Sequence, residues 1–332
     1  MLDTNSLNLL QNKKNLLAFS AGGDSTALLF LLLHHNIKFD IAIVNYNIRE
    51  QSKLEVIYAK ELASLYNFKC YVYEAKNITK NFESSAREIR YNFFEKLIYQ
   101  NHYENLLTAH HLGDRFEWML MQFCKGAGCV EIAGMRMMES RDSYNIIRPL
   151  LHLEKKELLV YLNDKHIKYF EDETNLDESI KRNSFRHNFS KPLLDKYLSG
   201  IKKSFNYLDE DRDRLIKDVT INKLDDFAYF INSKDDRVDI YHIDKYLKSI
   251  GFMMSSNERE ILKDKKTLIV GRKFVVNKNA KFIFIAPYIK DSIMDKEFKE
   301  RCRVLKIEPK LRSYLYQNQN IFHKVKELLT II

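Results

Sequence analysis

Short apolar runs alternate with longer amphipathic stretches through the first half of the chain. Residues 16–19 are apolar and too few for a helix; they lead into Ser20-Ala21-Gly22-Gly23-Asp24-Ser25 and then the helix-forming apolar run 27–33. Residues 40–45, 70–73 and 105–109 have the same buried-strand character. Residues 52–66, 84–100 and 114–123 between them read as helices, and 84–100 carries Ala86, Ile89, Phe93, Phe94, Leu97 and Ile98 along one stripe. Strands alternating with helices at this spacing predict an α/β fold, a parallel sheet with helices on both faces. A further amphipathic helix over 154–165 and a polar stretch over 171–188 close the unit.

The pattern then changes. Residues 191–262 are charged and helical in character, most clearly over 202–217. Residues 267–276 and 281–285 are β-branched runs around the turn Asn277-Lys278-Asn279, which predicts a small α+β module. Two domains are expected, 1–190 and 191–332, the second a helical linker with a small α+β part.

In parallel sheets ligands sit beyond the carboxyl ends of the strands, and the polar motifs of the first half fall there. The loop Ser20–Ser25 has the physics of an anion site. Its glycines let the backbone approach closely, its N–H groups and the following helix dipole favour negative charge, and Ser20, Ser25 and Thr26 add hydroxyls. It is neither a Walker loop, which needs a lysine, nor a Gly-x-Gly-x-x-Gly dinucleotide loop. After the fourth strand comes His110-His111-Leu112-Gly113-Asp114-Arg115-Phe116-Glu117. Asp114 and Glu117 share one helix face. Acidic residues at a helix start are ordinarily caps, but two carboxylates at a ligand edge could also hold a magnesium ion or an ammonium group. Arg87 and Arg90 lie one turn apart, and Asp172-Glu173-Thr174-Asn175 shortly precedes Arg182-Asn183-Ser184-Phe185-Arg186. Such fixed cations could neutralise phosphates.

Charge sharpens the division. Residues 1–190 hold 24 Lys+Arg and 24 Asp+Glu, whereas 191–332 hold 30 and 21, so the whole net charge of +9 lies in the second part. A basic appendage on a neutral unit points to a polyanion, usually nucleic acid. The four cysteines form no Cys-x-x-Cys pair, which argues against a zinc ribbon or a disulfide framework and fits a reducing cytoplasm. No apolar run reaches the ~18 residues of a membrane span, and residues 1–14 do not resemble a signal peptide.

The loop resembles the Ser-Gly-Gly-x-Asp-Ser loop of the PP-loop ATP pyrophosphatases, with Ala21 in place of the first glycine. The resemblance continues, in order, through 44–49, Ala86-Arg87 with Arg90-Tyr91, and Ala109-His110-His111 with Asp114 and Glu117. It runs on through Lys125-Gly126-Ala127-Gly128, Gly134-Met135, Arg148-Pro149-Leu150-Leu151, Asp172–Asn175 and Arg182-Asn183. Residues 15–190 thereby resemble the tRNA(Ile)-lysidine synthetase family, and the C-terminal third more weakly resembles the compact tRNA-binding domain of its shorter members. Besides Ala21, Tyr46 stands where the family has His, Gly113-Asp114 where it has Asp-Asp, and Trp118 where it has Thr.

The resemblance implies an ATP-dependent ligase that attaches free L-lysine to the wobble cytidine of tRNA(Ile) with a CAU anticodon. ATP would bind Ser20, Ala21, Gly22, Gly23, Asp24, Ser25, Arg90 and His110, with Asp24 as the Mg2+ ligand. Asp114 and Glu117 would bind lysine, and Asp24, Asp114, Glu117 and Arg182 would carry the chemistry. Arg301, Arg303, Lys306, Lys310 and Arg312, crowded into one basic segment, would bind tRNA. A cytoplasmic protein with no membrane partner is implied, and a homodimer is compatible with it. The alternatives are another PP-loop tRNA-modifying enzyme, such as a cytidine thiolase, and a catalytically inactive RNA-binding relative.

Overall fold

The computed structural model describes residues 1–47, 50–75, 82–141, 143–171, 177–217, 219–290 and 292–330. Ile48-Arg49 and Asp172-Glu173-Thr174-Asn175, both within the motifs above, lie outside the described residues. The chain divides into two compact units, Met1–Arg212 and Asp213–Ile332.

The first unit begins with α1 (Thr4–Leu10), β1 (Asn15–Ala18), α2 (Gly23–His34), β2 (Phe39–Asn45), α3 (Gln51–Tyr66), β3 (Cys70–Glu74) and α4 (Phe82–Asn101). It continues with β4 (Asn105–Leu107), α5 (Leu112–Phe123), α6 (Cys129–Ala133), β5 (Met138–Ser140), β6 (Asn145–Ile147), α7 (Lys155–Asp164) and α8 (Lys181–Phe185). A π-helical turn, Arg186–Ser190, leads into α9 (Lys191–Leu215). The sheet order is β3-β2-β1-β4-β6-β5, parallel throughout except for the edge strand β5.

The central strand shows why. Successive side chains of a strand face opposite ways, and both faces of β1 are covered. Leu17 packs in a cluster with Leu28, Leu32, Ile41 and Leu158, while Leu16 packs with Phe94, Ile98, Leu106 and Ile146. Fully burying each such side chain contributes roughly 1.5–3 kcal/mol. Helix α2 packs against α7, so little of it meets water, and its apolar residues cover most of its circumference.

Helix α9 begins where the sequence pattern placed the domain boundary, yet most of it belongs to the first unit. Leu194 and Phe205 pack with Leu112 and Phe116, and Arg115 forks onto Asp209 at 2.6 and 2.9 Å. The division therefore falls at 212/213, whereas the pattern placed it at 190/191.

The second unit contains β7 (Asn222–Leu224), β8 (Phe227–Ile231), α10 (Asp236–Ser249), α11 (Ser256–Asp264) and β9 (Thr267–Val270). After these come β10 (Phe274–Lys278), β11 (Phe282–Pro287), α12 (Lys296–Val304), α13 (Pro309–Gln317) and α14 (Gln319–Thr330). Its antiparallel sheet runs β7-β8-β11-β10-β9. One face packs Phe227, Val275 and Phe284 against Phe298, Leu315 and Phe322; the other packs Phe230, Val276 and Ile285 against Ile243, Leu247 and Leu262.

Two expectations are corrected here. The helical reading of 191–262 fails at β7 and β8. Phe227-Ala228-Tyr229-Phe230 is buried on both faces and so lacks the polar alternation that marks a strand. The run 267–276 is two strands, broken at Gly271, whose φ is +56°; a Cβ there would lie 2.2 Å from the Phe252 ring. No helix among the described residues is long and apolar enough to cross a membrane.

Candidate active site

The turn between β1 and α2 is built from short side chains. Ser25 Oγ accepts from Ser20 N–H at 3.2 Å, lies 3.0 Å from Ser20 Oγ and donates to the Gly22 carbonyl at 3.1 Å. Phe170 N–H donates to the Ala21 carbonyl at 3.0 Å, and Gly22 bridges to Phe170. Ala21 takes the left-handed conformation, φ +59°, with its methyl group buried in the core. An L-residue there costs roughly 1–2 kcal/mol, which the buried methyl and the Phe170 contacts offset. At Gly23 a Cβ would meet Leu159 Cδ2 at 3.1 Å, so any larger residue would require that α7 side chain to give way by a few tenths of an ångström.

Asp24 occupies the first turn of α2. Its Oδ1 is buried with no hydrogen-bond partner among the described residues; its Oδ2 lies 3.8 Å from His111 Nε2 and 4.0 Å from Lys155 Nζ.

His111 caps α5 and links this loop to the second cluster. Its Nδ1 accepts from Gly113 N–H at 3.0 Å, its own N–H donates to Asp114 Oδ2 at 3.1 Å, and its Nε2 lies 3.6 Å from that oxygen. Asp114 and Glu117 face Arg182 and Arg186, four residues apart, the first in α8 and the second where the π-helical turn begins. Arg182 donates to Asp114 Oδ1 at 2.5 Å and to Glu117 Oε2 at 3.1 Å. Arg186 donates to Glu117 Oε1 at 2.7 Å and Oε2 at 3.2 Å. Glu117 is 2 % exposed. Burial alone would raise the pKa of Asp114, but His111 and Arg182 outweigh it and hold the carboxyl well below its usual range.

His110 is of a different kind. Its Nδ1 lies 2.9 Å from Thr108 Oγ1. Burial lowers its pKa to about 4; Asp114 pulls it up, and Arg148, Arg182 and Arg87 push it further down. It is therefore neutral at pH 7 and can serve a phosphate by hydrogen bonding, not by charge. Arg148 is buried and fixed by the Arg136 carbonyl at 2.9 Å and Glu139 at 3.0 Å. Arg90, expected beside His110, is exposed and hydrogen-bonds Tyr46. Arg87 is the member of that pair whose field reaches His110.

The departures from the family pattern each have a physical account. At Gly113 a Cβ would come within 2.7 Å of the His111 ring that caps the helix. Trp118 lies against Gly134, where φ is +67° and a Cβ would sit 3.0 Å from Trp118 Cδ1. The Tyr46 hydroxyl donates to the Ala86 carbonyl at 2.9 Å, pinning the start of α4 to the end of β2. Sequence reading missed Lys155 as a site residue, and it offered Arg186 as a cation for phosphate, whereas the side chain is bound to Glu117.

In the second unit, Arg303 pairs with Glu300 at 2.7 Å, Arg301 lies over the Phe298 and Phe322 rings, and Arg312 donates twice to the Ile307 carbonyl. Lys306 and Lys310 are exposed and form no ion pair among the described residues. A surface cavity of about 340 Å³ nearby is lined by Lys296, Lys299, Glu300, Arg303 and Arg312.

A PP-loop domain family model matches residues 3–193. The chain is 40% identical over 313 residues to a tRNA(Ile)-lysidine synthase of Campylobacter jejuni, covering 94% of this chain and 95% of that one. It is 41% identical to one of Helicobacter pylori, covering 92% and 90%, and 42% identical to one of Wolinella succinogenes, covering 92% and 94%. Among solved structures it resembles a U34-tRNA thiolase of Methanococcus maripaludis, with a TM-score of 0.52 and 18% identity over 63% of this chain and 74% of that one. That likeness is one of fold.

Proposed function

The chain belongs to the tRNA(Ile)-lysidine synthase family, and from this we propose that it is the ATP-dependent ligase that joins free L-lysine to carbon 2 of the wobble cytidine in tRNA(Ile) with a CAU anticodon. One observation carries the reading. A single histidine, His111, stands 3.8 Å from the anion-binding loop at Asp24 and 3.6 Å from the buried carboxylate of Asp114. A phosphate site and a cation site therefore share one sheet edge.

The reaction needs both. The cytidine carbonyl oxygen at carbon 2 attacks the α-phosphate of ATP and pyrophosphate leaves; the ε-amine of lysine then displaces AMP. The Ser20–Ser25 loop and the α2 N-terminus receive the phosphates. Neutral His110 adds a hydrogen bond, and Arg182 and Lys155 add cationic charge.

Mg2+ fits at Asp24, whose Oδ1 is a buried carboxylate oxygen without a partner. This ion is ordinarily held by one or two carboxylates with phosphate and water. When bound, it neutralises charge on the departing pyrophosphate. Lysine arrives as an ammonium, its amine having a pKa near ~10.4, and must lose a proton before it attacks. Asp114 and Glu117 bind that ammonium and accept or relay the proton. The basic second unit holds the tRNA through its phosphates.

The test follows labelled lysine into tRNA(Ile) transcripts and pyrophosphate release in parallel. Asp114→Asn should lower lysine transfer at sub-saturating lysine by at least ~100-fold, the loss expected of a positioned acid–base group. Pyrophosphate release should stay measurable. Normal transfer by that variant would remove Asp114 from the lysine site.

A further inference from the structure

Asp114 and Glu117 on α5 face Arg182 on α8 and Arg186 at the start of the π-helical turn, and each of the four carboxylate oxygens already accepts a hydrogen bond. Asp114 Oδ1 takes Arg182, its Oδ2 takes the His111 N–H, Glu117 Oε1 takes Arg186, and Glu117 Oε2 takes both arginines. Two carboxylates face two guanidinium groups, so the cluster is neutral. A lysine ammonium entering it would find no unshared oxygen and would make a desolvated site net positive.

The two arginines are not equivalent. Arg186 is two-pronged on Glu117, and its nearest approach to Asp114 is 3.6 Å. Arg182 spans the two carboxylates, as an ammonium held by both would have to. Its side chain is 39% exposed, against 22% for Arg186.

We propose that Arg182 is the resident occupant of the lysine ammonium site, and that the phosphate of the adenylated cytidine must draw it away before lysine can bind. This rests on the assignment of Asp114 and Glu117 to lysine. The driving group is chemically suited, because a guanidinium pairs with phosphate oxygens in the same two-pronged way as with carboxylate. It is also near, since the anion-binding loop meets the cluster through His111. Once Arg182 turns to the phosphate, two carboxylates face Arg186 alone, and one added ammonium restores neutrality. Lysine binding is thereby coupled to completed adenylation. Arg182 also remains on the phosphate as AMP is displaced.

The experiment titrates lysine into full-length enzyme without ATP or tRNA. Arg182→Gln should bind lysine at least about tenfold more tightly than wild type, within the usual range of coupling between sites. Affinity equal to or weaker than wild type in a variant that still binds ATP overturns the proposal. A second measurement needs no variant: wild-type enzyme is first allowed to adenylate tRNA, and the lysine concentration giving half-maximal single-turnover transfer is then found. It should lie at least about tenfold below the dissociation constant for lysine alone; equality of the two overturns the proposal. Glu117→Gln separates the two ideas. If it leaves lysine dependence on the adenylated complex unchanged, the lysine assignment itself fails, whatever Arg182→Gln does.

Discussion

The two sheets of this protein gather charge differently. The parallel sheet belongs to a part of the chain with no net charge, yet it buries Asp114, Glu117, Arg115 and Arg148. The antiparallel sheet lies in the strongly basic part, where Arg301, Arg303, Lys306 and Lys310 are all exposed. The buried charges there, Asp239 and Asp244 on α10 and Lys278 on β10, belong to no set of two carboxylates facing two guanidinium groups among the described residues. The cause is topological. Parallel strands bring all their carboxyl ends to one edge, where apolar packing stops and helix N-termini converge. Hairpin strands send successive ends to opposite edges and gather no such place. Net charge therefore marks where a polyanion would lie, and desolvated charge clustered at one sheet edge marks where chemistry would occur.

The sharpest way to break this comparison is at Asp24, whose buried Oδ1 has no hydrogen-bond partner among the described residues. Asp24→Ala should reduce pyrophosphate release with ATP, Mg2+ and tRNA by ~1000-fold or more, on the scale of removing a preorganised electrostatic group. Near-normal release would reduce the loop to a structural turn.

Next in size is a pair of arginine substitutions compared by thermal or urea unfolding. Trp118, the single tryptophan, reports on the first unit. Arg186→Leu leaves Glu117 buried with only Arg182 and should cost about 3 kcal/mol, the low end for breaking a buried pair. Arg303→Ala, at an exposed i,i+3 pair, should leave the unfolding of the second unit unchanged. Equal effects would mean that burial does not separate the two kinds of charge.

These contrasts also explain what could be read from the sequence. The first four strands and their helices were legible because each strand is a short apolar run bounded by turn chemistry. The loop and the carboxylate pair were legible because their spacing is local. Arg186 was visible as a cation one helical turn after Arg182, but not its partner Glu117, which is 69 residues away in the sequence. Strand β8 was not legible, because a strand covered on both faces has no alternation, and β7 was not, because its three residues are mostly exposed and carry no apolar run. Helix α9 starts at the expected boundary, but its apolar stripe finds its partners in α5, which composition cannot show.

A smaller effect separates the units by pH. His110 has a pKa of about 4 in the folded chain, against 6.5 for an ordinary histidine. The unfolded chain therefore binds a proton as pH falls below ~6.5, while the folded chain binds it only near ~4. The stability of the first unit should be flat above that window and fall on acidification through it, by at most about 1.4 kcal/mol per pH unit. The exposed carboxylates Asp295 and Glu300 of the second unit also have lowered pKa values, through the Phe298 N–H and Arg303 respectively, so their contribution is lost only at lower pH. Trp118 fluorescence during unfolding at stepped pH should show the slope, and His110→Gln should flatten it. A slope that survives in His110→Gln would place the titrating group elsewhere.

The smallest effect is expected where the charge is greatest. If Arg301, Arg303, Lys306, Lys310 and Arg312 all met phosphates, replacing the five with alanine would flatten the salt dependence of tRNA binding by nearly one log unit per contact, five in all. The structure argues for an uneven share. Arg303 is committed to Glu300, Arg312 to the Ile307 carbonyl, and Arg301 lies over two rings, so each would give up a contact to reach a phosphate. Lys306 and Lys310 give up nothing. The double variant Lys306→Ala/Lys310→Ala should therefore lose most of what the fivefold variant loses, flattening the slope by about two and weakening binding ~10-fold near physiological salt. Adenylation at saturating tRNA should be untouched, since neither lysine belongs to the parallel-sheet site. Filter binding of tRNA(Ile) across a salt series gives both quantities. An unchanged slope in the double variant, with a large change in the fivefold one, would show that paired arginines carry the interface. The line drawn between committed and uncommitted charge would then have to be abandoned.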